Sequence, residues 1–484
     1  MQRRQGSLFL WTRRLFLGIL FLFLSLFRVS VGLSPAFPGS FRRPVSVGFV
    51  RSFSAQSHRC TFFTPLGSMS DSPPAKKQKV EGGGAKPSVM SEWNQHGGTV
   101  YWKNFGGWKM PEGSSKVKVA SFDLDGTLVV TKSGGAFAKD ASDWKLLDPK
   151  KVKESLQRLH RDGFLLQIVT NQKGVTTGKT SINDVMGRIE GVVKALDVPI
   201  QVFAATGDDM YRKPAPGLFN LMKTVNGGAW DLDKQTSFYC GDAAGRPAGG
   251  SRKKDHSDSD LKFALNWGVG FKTPEEALLG ANKATNVPST FTFDPRQMGK
   301  GNQVQAGKEN KQAAEIGPSD KQELILVVGP PGSGKSFFAT RTFSSYARVN
   351  QDTLKTKEKC LKTAKEALEK GKSVVVDNQN KDKGTRAGYL SLCKEKGVPA
   401  RALVLEVPKE FCFHTNAYRS FSKSSQESRA HKVPPMVIHS FFKNVERPTK
   451  EEGFEDVLQW SLKDISLGPF ASAEDETLFK SFLT

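Results

Sequence analysis

Two aspartates separated by one residue, Asp123 and Asp125 in the run Asp123-Leu124-Asp125-Gly126-Thr127, follow the apolar-rich stretch 116–122. A carboxylate delivered by a strand end can attack phosphorus as a nucleophile. A second carboxylate beside it can protonate the leaving oxygen and then activate water. Gly126 lets the chain turn sharply there. Asp-Gly is also an ordinary turn pair, so the pentapeptide alone leaves a structural turn open.

Three later segments bring matching chemistry. The apolar run 164–169 ends in Thr170-Asn171, which presents a hydroxyl able to donate to a phosphoryl oxygen. Tyr211-Arg212-Lys213-Pro214 offers a cation, and Lys213 is expected to neutralise both the phosphate and the nucleophile. The short segment 237–240 opens into Gly241-Asp242-Ala243-Ala244-Gly245-Arg246, a third carboxylate on a strand-end loop. Asp123, Asp242 and the main-chain carbonyl of Asp125 make an oxygen donor set suited to Mg²⁺.

A second group of residues follows the apolar stretch 324–328, which runs into GPPGSGKS at 329–336 and then a helix-like FFATRTF. Gly329, Gly332 and Gly334 let backbone N–H groups wrap nucleotide phosphates at a helix start. Lys335 is placed to bridge the β- and γ-phosphates and Ser336 to ligate Mg²⁺, so ATP is the expected cofactor. Phosphoryl transfer to a hydroxyl needs a base, and Asp352 in VNQDTL is the candidate, with a helix amino-cap as its rival role. Asp377, closing the strand 373–376, is expected to orient Mg²⁺ or Lys335, with loop capping as the alternative. Arg419, in HTNAYRSF, is expected in a lid that stabilises transferring charge.

These groups sit at or just beyond the ends of short apolar strands, one of which leads through the loop 329–336 into a helix-like segment. The 484 residues exclude a single small module, and 38% hydrophobic content with 34 Phe excludes a wholly disordered chain. Five scattered cysteines without a C-x-x-C pair exclude a disulfide scaffold and a zinc finger. Residues 298–321 are polar and nearly free of large apolar side chains, so they read as a linker. The expected organisation is a targeting segment at 1–68, a basic Pro/Gly-rich linker at 69–92, a first catalytic domain at 93–297, the linker 298–321 and a second catalytic domain at 322–484.

The formal net charge is +23, from 71 Lys and Arg against 48 Asp and Glu. Such an excess favours a polyanionic partner. Arg246, Arg252, Lys253 and Lys254 are candidate phosphate contacts, each balanced by the reading of a solvated loop. Nine of the arginines lie within residues 1–70, which contain no Asp, Glu or Lys. There, Arg13-Arg14 precedes the apolar run LFLGILFLFLSLF, which has the length of a signal-peptide core and is short of the ~20 residues that span a bilayer. An Arg-, Ser- and Phe-rich stretch behind it resembles a transit peptide. From Met69 the chain instead carries the basic cluster Lys76, Lys77 and Lys79 after two prolines, as nuclear-import signals do. Initiation at Met1 for an organellar form and at Met69 for a nuclear one reconciles the two addresses.

The DxDGT strand, Thr strand end, Lys and G-D loop, taken in order, resemble the haloacid-dehalogenase (HAD) phosphatase superfamily. With the Walker A loop behind them, the chain resembles the eukaryotic polynucleotide kinase 3'-phosphatase family, through FDLDGTL, SDWKLL, VTNQKG, YRKPAPG, FYCGDAAGRPA, FALN, GPPGSGKS, VNQDTL and VVDNQN. The resemblance implies an α/β fold: a HAD-like Rossmannoid phosphatase domain followed by a P-loop kinase domain with a parallel sheet.

By that resemblance, Asp123 is the nucleophile, Asp125 the acid/base and Asp242 a Mg²⁺ ligand. Lys335 and Ser336 bind ATP and Mg²⁺, Asp352 activates a 5'-hydroxyl and Arg419 lies in the lid. The implied substrates are DNA strand-break ends, with RNA ends as a counterpart, in a monomeric enzyme that feeds a repair ligase or scaffold. No stable membrane association of the mature form is expected. Gln351 and Ala417 depart from the basic residues usual in relatives, which implies weaker acceptor or ATP binding. The forkhead-associated domain of vertebrate relatives is not expected. The rivals are a small-molecule phosphatase fused to a metabolite kinase and a non-catalytic end-binding scaffold.

Overall fold

Strands with apolar residues on both faces must be covered on both sides, and two sheets of the chain meet that demand. The computed structural model describes residues 93–113, 116–228, 230–249, 252–298, 316–422, 432–462 and 470–484, all within one compact unit. The expected targeting segment 1–68, the linker 69–92 and most of the linker 298–321 lie outside the described residues.

The first sheet is built from β1 (Asn94–His96), β2 (Val100–Phe105) and β3 (Lys116–Phe122). The short β4 (Val129–Val130) and β5 (Lys145–Leu146) pair with each other beside it. It continues through β6 (Phe164–Asn171), β7 (Ile200–Ala205), β8 (Asp231–Leu232), β9 (Phe238–Cys240) and β10 (Gly270–Lys272). Its order is β1-β2-β7-β6-β3-β9-β10, with β8 pairing β3. From β7 to β10 the neighbours are parallel, and β2 runs antiparallel to β7.

Side chains alternate across this sheet with period two. Phe122, Leu166, Ile168 and Val202 pack on one face with Val152 and Leu156 of the helix Pro149–Arg161 and Val185, Met186 and Ile189 of the helix Ile182–Leu196. Val119, Val169, Phe203 and Tyr239 pack on the other with Leu218 and Leu221 of the helix Gly217–Val225 and Phe263 of the helix Ser259–Trp267. Each such fully buried side chain contributes about 1.5–3 kcal/mol against the entropy of ordering it. The register aligns Phe122 with Ile168 and with Cys240. Parallel strands in that register deliver Asp123, Thr170 and Asp242 to one edge, outside the carboxyl ends of the sheet.

The second sheet has five parallel strands, β11 (Leu324–Val328), β12 (Ala347–Val349), β13 (Val374–Asp377), β14 (Ala400–Glu406) and β15 (Asp456–Ser461), in the order β12-β13-β11-β14-β15. All five residues of the central β11 are buried, which is why its sequence is continuously apolar. The core of this half takes in Ile316, packed with Ile325, Phe343 and Tyr346, and the Gly317 carbonyl accepts from Arg401. It therefore reaches back before residue 322. Phe293 from the first half stacks edge-on against Phe411, 5.2 Å away, and joins a shared apolar cluster with Val407, Ile438 and Phe479. Among the described residues no helix is long and apolar enough to cross a membrane.

Candidate active sites

At the first sheet's edge, the Asp123 N–H donates to the Cys240 carbonyl (2.8 Å), which seats the predicted nucleophile against β9. Gly126 turns the loop with φ +78°. A Cβ there would come within 2.6 Å of the Asp242 carboxyl group, so the glycine is needed for space as well as conformation. Asp242 is drawn in from its own side, its N–H donating to Thr127 Oγ1 (3.1 Å).

Lys213 is almost completely buried, and its ammonium donates to Asp123 (2.7 Å), Asp260 (2.9 Å) and the Tyr239 hydroxyl. Its main chain is fixed by Asn171, which accepts from the Lys213 N–H (3.0 Å) and donates to its carbonyl (3.1 Å). Burial opposes the lysine's charge, but the carboxylates of Asp123 and Asp260 outweigh it and its pKa is raised. Burial pushes Asp123 up to about 8, with Lys213 opposing and Asp260 and Asp242 adding to the rise. Asp242 is likewise pushed up, to about 6, chiefly by burial and then by Asp260. One ammonium facing three carboxylates leaves negative charge uncompensated in a low-dielectric cleft.

That imbalance fits a divalent cation. Asp123, Asp242 and Asp260 each offer an oxygen within 4.8 Å of the others, a hard donor set of the kind Mg²⁺ takes, and Asp242 Oδ1 is buried with no hydrogen-bond partner. Asp260 adds a third carboxylate to the expected donor set of Asp123, Asp242 and the Asp125 main-chain carbonyl, while the Asp125 side chain turns to other partners. Asp125 is gripped by Arg188 through both terminal guanidinium nitrogens and by Gln172 Nε2 (2.8 Å), an anchoring that directs its carboxylate. Thr170 is buried and accepts from Gln172 Nε2 (2.8 Å), which leaves its own hydroxyl proton available to donate.

Asp260, Arg188 and Tyr239 escape sequence reasoning because they lie inside apolar patterns. Arg188 belongs to the buried stripe Val185, Met186, Ile189 and Val192 of its helix, and Asp260 precedes buried Leu261 and Phe263. A charged residue within such a stripe was the available signal. The candidate phosphate contact Arg246 is also corrected. It is 5% exposed and tied to Asp255 (2.8 Å) and Glu275 (3.1 Å), since a guanidinium taken out of water must be paired. Arg252 shares Asp255 (2.8 Å), whereas Lys253 and Lys254 are exposed.

At the second sheet, β11 feeds the loop 329–336 directly into the helix Lys335–Thr342, with Gly334 at φ +88° as its cap. Gly332 has φ +83°, and a Cβ there would lie 2.7 Å from the Cys412 carbonyl. Thr415 donates to the Gly332 carbonyl (2.5 Å), so the helix Lys409–Phe421 braces the loop. The Lys335 amine donates to the Pro330 carbonyl (2.7 Å), and burial lowers its pKa to about 8 against the pull of Asp377. Ser336 is exposed at the helix start, where backbone N–H groups and the helix dipole favour anions.

Asp377 is 1% exposed, held by Arg348 Nε (2.9 Å) and Asn350 Nδ2 (3.2 Å), while its Oδ1 is buried without a partner. Asn380 ties the same loop to the Val327 carbonyl (2.8 Å). Asp352 is exposed in the one-turn helix Gln351–Leu354, whose amino-cap is Asn350, accepting from the Thr353 N–H (3.2 Å). The capping role therefore falls to Asn350 and leaves the Asp352 carboxylate exposed. Arg419 lies in the electrostatic field of Asp352 and Asp377, and burial lowers its pKa. Ala417 is buried, and Gln351 uses its N–H on Asn378 Oδ1 (2.8 Å).

Residues 118–278 match the family model of polynucleotide kinase 3 phosphatase, and residues 355–448 match that of an AAA domain. The chain is 38% identical over 344 residues to a bifunctional polynucleotide phosphatase/kinase of Schizosaccharomyces pombe, covering 70% of this chain and 78% of that protein. It is 34% identical to a putative bifunctional polynucleotide phosphatase/kinase of Acanthamoeba polyphaga mimivirus, covering 72% and 85% respectively. A polynucleotide 3'-phosphatase of Arabidopsis thaliana is 41% identical over 175 residues, covering 33% of this chain and 24% of that protein.

Proposed function

The chain belongs to the family of bifunctional polynucleotide phosphatase/kinases, and on that premise we propose that it prepares DNA strand-break ends for ligation by removing 3'-phosphates and phosphorylating 5'-hydroxyls with ATP. The observation that carries this reading is the presence of both assembled sites in one chain that aligns along most of the length of relatives named for both activities.

In the phosphatase reaction Asp123 attacks the 3'-phosphate phosphorus and forms an aspartyl-phosphate while the bond to the 3'-oxygen breaks. Asp125, directed by Arg188 and Gln172, gives a proton to that departing oxygen and then takes one from the water that hydrolyses the intermediate. Lys213 and the Thr170 hydroxyl hold the phosphoryl oxygens. Asp123, Asp242 and Asp260, with the Asp125 main-chain carbonyl, would hold Mg²⁺, which would supply positive charge to the transferring phosphoryl group.

In the kinase reaction the loop 329–336 and Lys335 hold the ATP phosphates, and Ser336 and Asp377 are assigned to Mg²⁺. Asp352 accepts the proton of the 5'-hydroxyl as that oxygen bonds to the γ-phosphorus and the bond to ADP breaks. Arg419 stabilises the transferring charge. Gln351 and Ala417, uncharged where relatives carry basic residues, weaken acceptor or ATP binding.

The enzyme acts as a monomer on nicks, gaps and double-strand breaks, ahead of a ligase, and its mature form holds no stable membrane contact. The cluster at Lys76, Lys77 and Lys79 directs a nuclear form and residues 1–68 an organellar one. The deciding experiment incubates the protein with ATP and Mg²⁺ on nicked DNA bearing 3'-phosphate and 5'-hydroxyl ends, with an RNA counterpart alongside. Conversion of both DNA ends, faster than of RNA ends, is expected. Action on RNA alone would overturn the DNA assignment.

A further inference from the structure

The end of the kinase half reaches into the phosphatase half. After the helix Ala473–Lys480 the chain passes through Phe482 and Leu483, each 1% exposed. Leu483 and Asn266 grip each other in both directions: the Leu483 N–H donates to Asn266 Oδ1 (2.7 Å), and Asn266 Nδ2 donates to the Leu483 carbonyl (2.9 Å). The same Nδ2 also donates to the Pro214 carbonyl, 2.8 Å away. The Asn266 amide is thus spent on two stretches of main chain, one from each half.

Pro214 follows Lys213 directly. The peptide carrying that lysine is held by Asn171 on one side and by Asn266 on the other. Asn266 and Asp260 lie on the same helix, Ser259–Trp267, so one rigid element sets both the Lys213 backbone and a carboxylate that receives its amine. The tail is itself anchored. Phe482 packs against His414 and Phe421, Thr484 Oγ1 bonds His414 Nδ1 (2.7 Å), and the Thr484 carbonyl accepts from Lys262 (2.6 Å). His414 stands one residue before Thr415, which braces the nucleotide loop at Gly332.

We infer that Leu483 and Asn266 are positioning residues for 3'-phosphate removal: the tail of the kinase half holds Asn266, which holds Pro214, and so sets Lys213 against Asp123. The inference rests on the role given to Lys213 above. Small displacements of a positioned charge are costly because the ion must meet its partner in one orientation within a dry cleft.

The test uses the full chain with separate assays on a 3'-phosphorylated and a 5'-hydroxyl oligonucleotide. Asn266→Ala removes the amide, and Leu483→Pro removes the N–H donor of the tail together with the buried leucine side chain. Each is expected to lower phosphatase kcat about tenfold with KM within about twofold, while kinase kcat stays within about twofold. The double variant is expected to be no worse than the more damaged single, because both break one relay. Phe482→Ala, which loosens the anchor and leaves every clamp atom in place, gives a smaller loss of the same kind should Leu483→Pro fold poorly.

Unchanged phosphatase kcat in all variants would overturn the inference. So would a parallel fall of both activities with the melting temperature, which is the signature of lost fold alone, or losses that multiply in the double variant. Lys213→Ala separates the two levels. If it keeps phosphatase activity, the reading of the site itself fails; if it is inactive while the tail variants are silent, only the relay fails.

Discussion

The Cβ position of Gly126 lies 2.6 Å from the carboxyl carbon of Asp242, so the loop bearing Asp123 and Asp125 closes on the third acidic loop with no space for a side chain. Gly126→Ala meets that clash and also a φ of +78°, which costs an L-residue roughly 1–2 kcal/mol. Phosphatase kcat is expected to fall at least about a hundredfold, with kinase activity retained, as read by paired assays on one preparation.

The two sites are separable. Asp123→Asn is expected to abolish 3'-phosphatase activity and spare 5'-kinase activity, and Lys335→Ala to do the reverse, since each removes a group proposed to act on its own reacting phosphoryl. Loss of both activities in either variant with an unchanged melting temperature contradicts this assignment.

Arg188 directs Asp125 through two guanidinium contacts. Arg188→Met keeps most of the side chain's bulk but removes both, and is expected to lower phosphatase kcat about 10²-fold with little change in KM, because Asp125 is the proposed acid and base. Arg188→Lys should recover only part of the rate, since an ammonium cannot make the two-pronged contact. Steady-state kinetics of the three proteins decide it.

Metal binding should depend on pH with a definite sign. Asp123 is raised to about 8 and Asp242 to about 6 from an ordinary carboxylate value of 3.8. The metal-free fold therefore binds more protons than the unfolded chain, and the stability these groups contribute is present in full below about pH 4 and is lost as pH rises through about 8. Mg²⁺ must displace those protons, so its apparent affinity should rise up to about tenfold per pH unit between 6 and 8. Melting curves with Mg²⁺ and with a chelator are expected to diverge more at pH 8 than at pH 6. An equal divergence at both contradicts the metal assignment to these carboxylates.

Start-codon use is tested by imaging carboxyl-terminally tagged Met1→Ala and Met69→Ala chains. The first is expected only in the nucleus and the second only in an organelle. Identical distributions remove the two-address proposal.

Chemistry carried by neighbours along the chain was legible from the residues alone. An aspartate pair beside a glycine needs one turn, a Walker A loop needs one strand and one helix, and continuous apolar runs such as 324–328 mark strands buried on both faces. Those local signals singled out Asp123, Asp125 and Asp242 as candidates at strand ends, and Lys335 and Ser336 as candidates at the start of the helix that follows the loop. What they could not convey was which charges would meet. Asp260 and Arg188 sit in helices far from Asp123 and Asp125 in sequence and look like misplaced charges on apolar faces until the helices pack and bring them to Lys213 and Asp125.

The same limit turned Arg246, a plausible phosphate contact by charge, into a buried tie to Asp255 and Glu275. It also hid the clamp between Asn266 and Leu483, 217 residues apart. Strand ends and phosphate loops follow from backbone geometry over a few residues. Ion pairing and relays between halves follow from burial, where low dielectric makes each charge find a partner, and only the folded chain settles which partner lies within 3 Å.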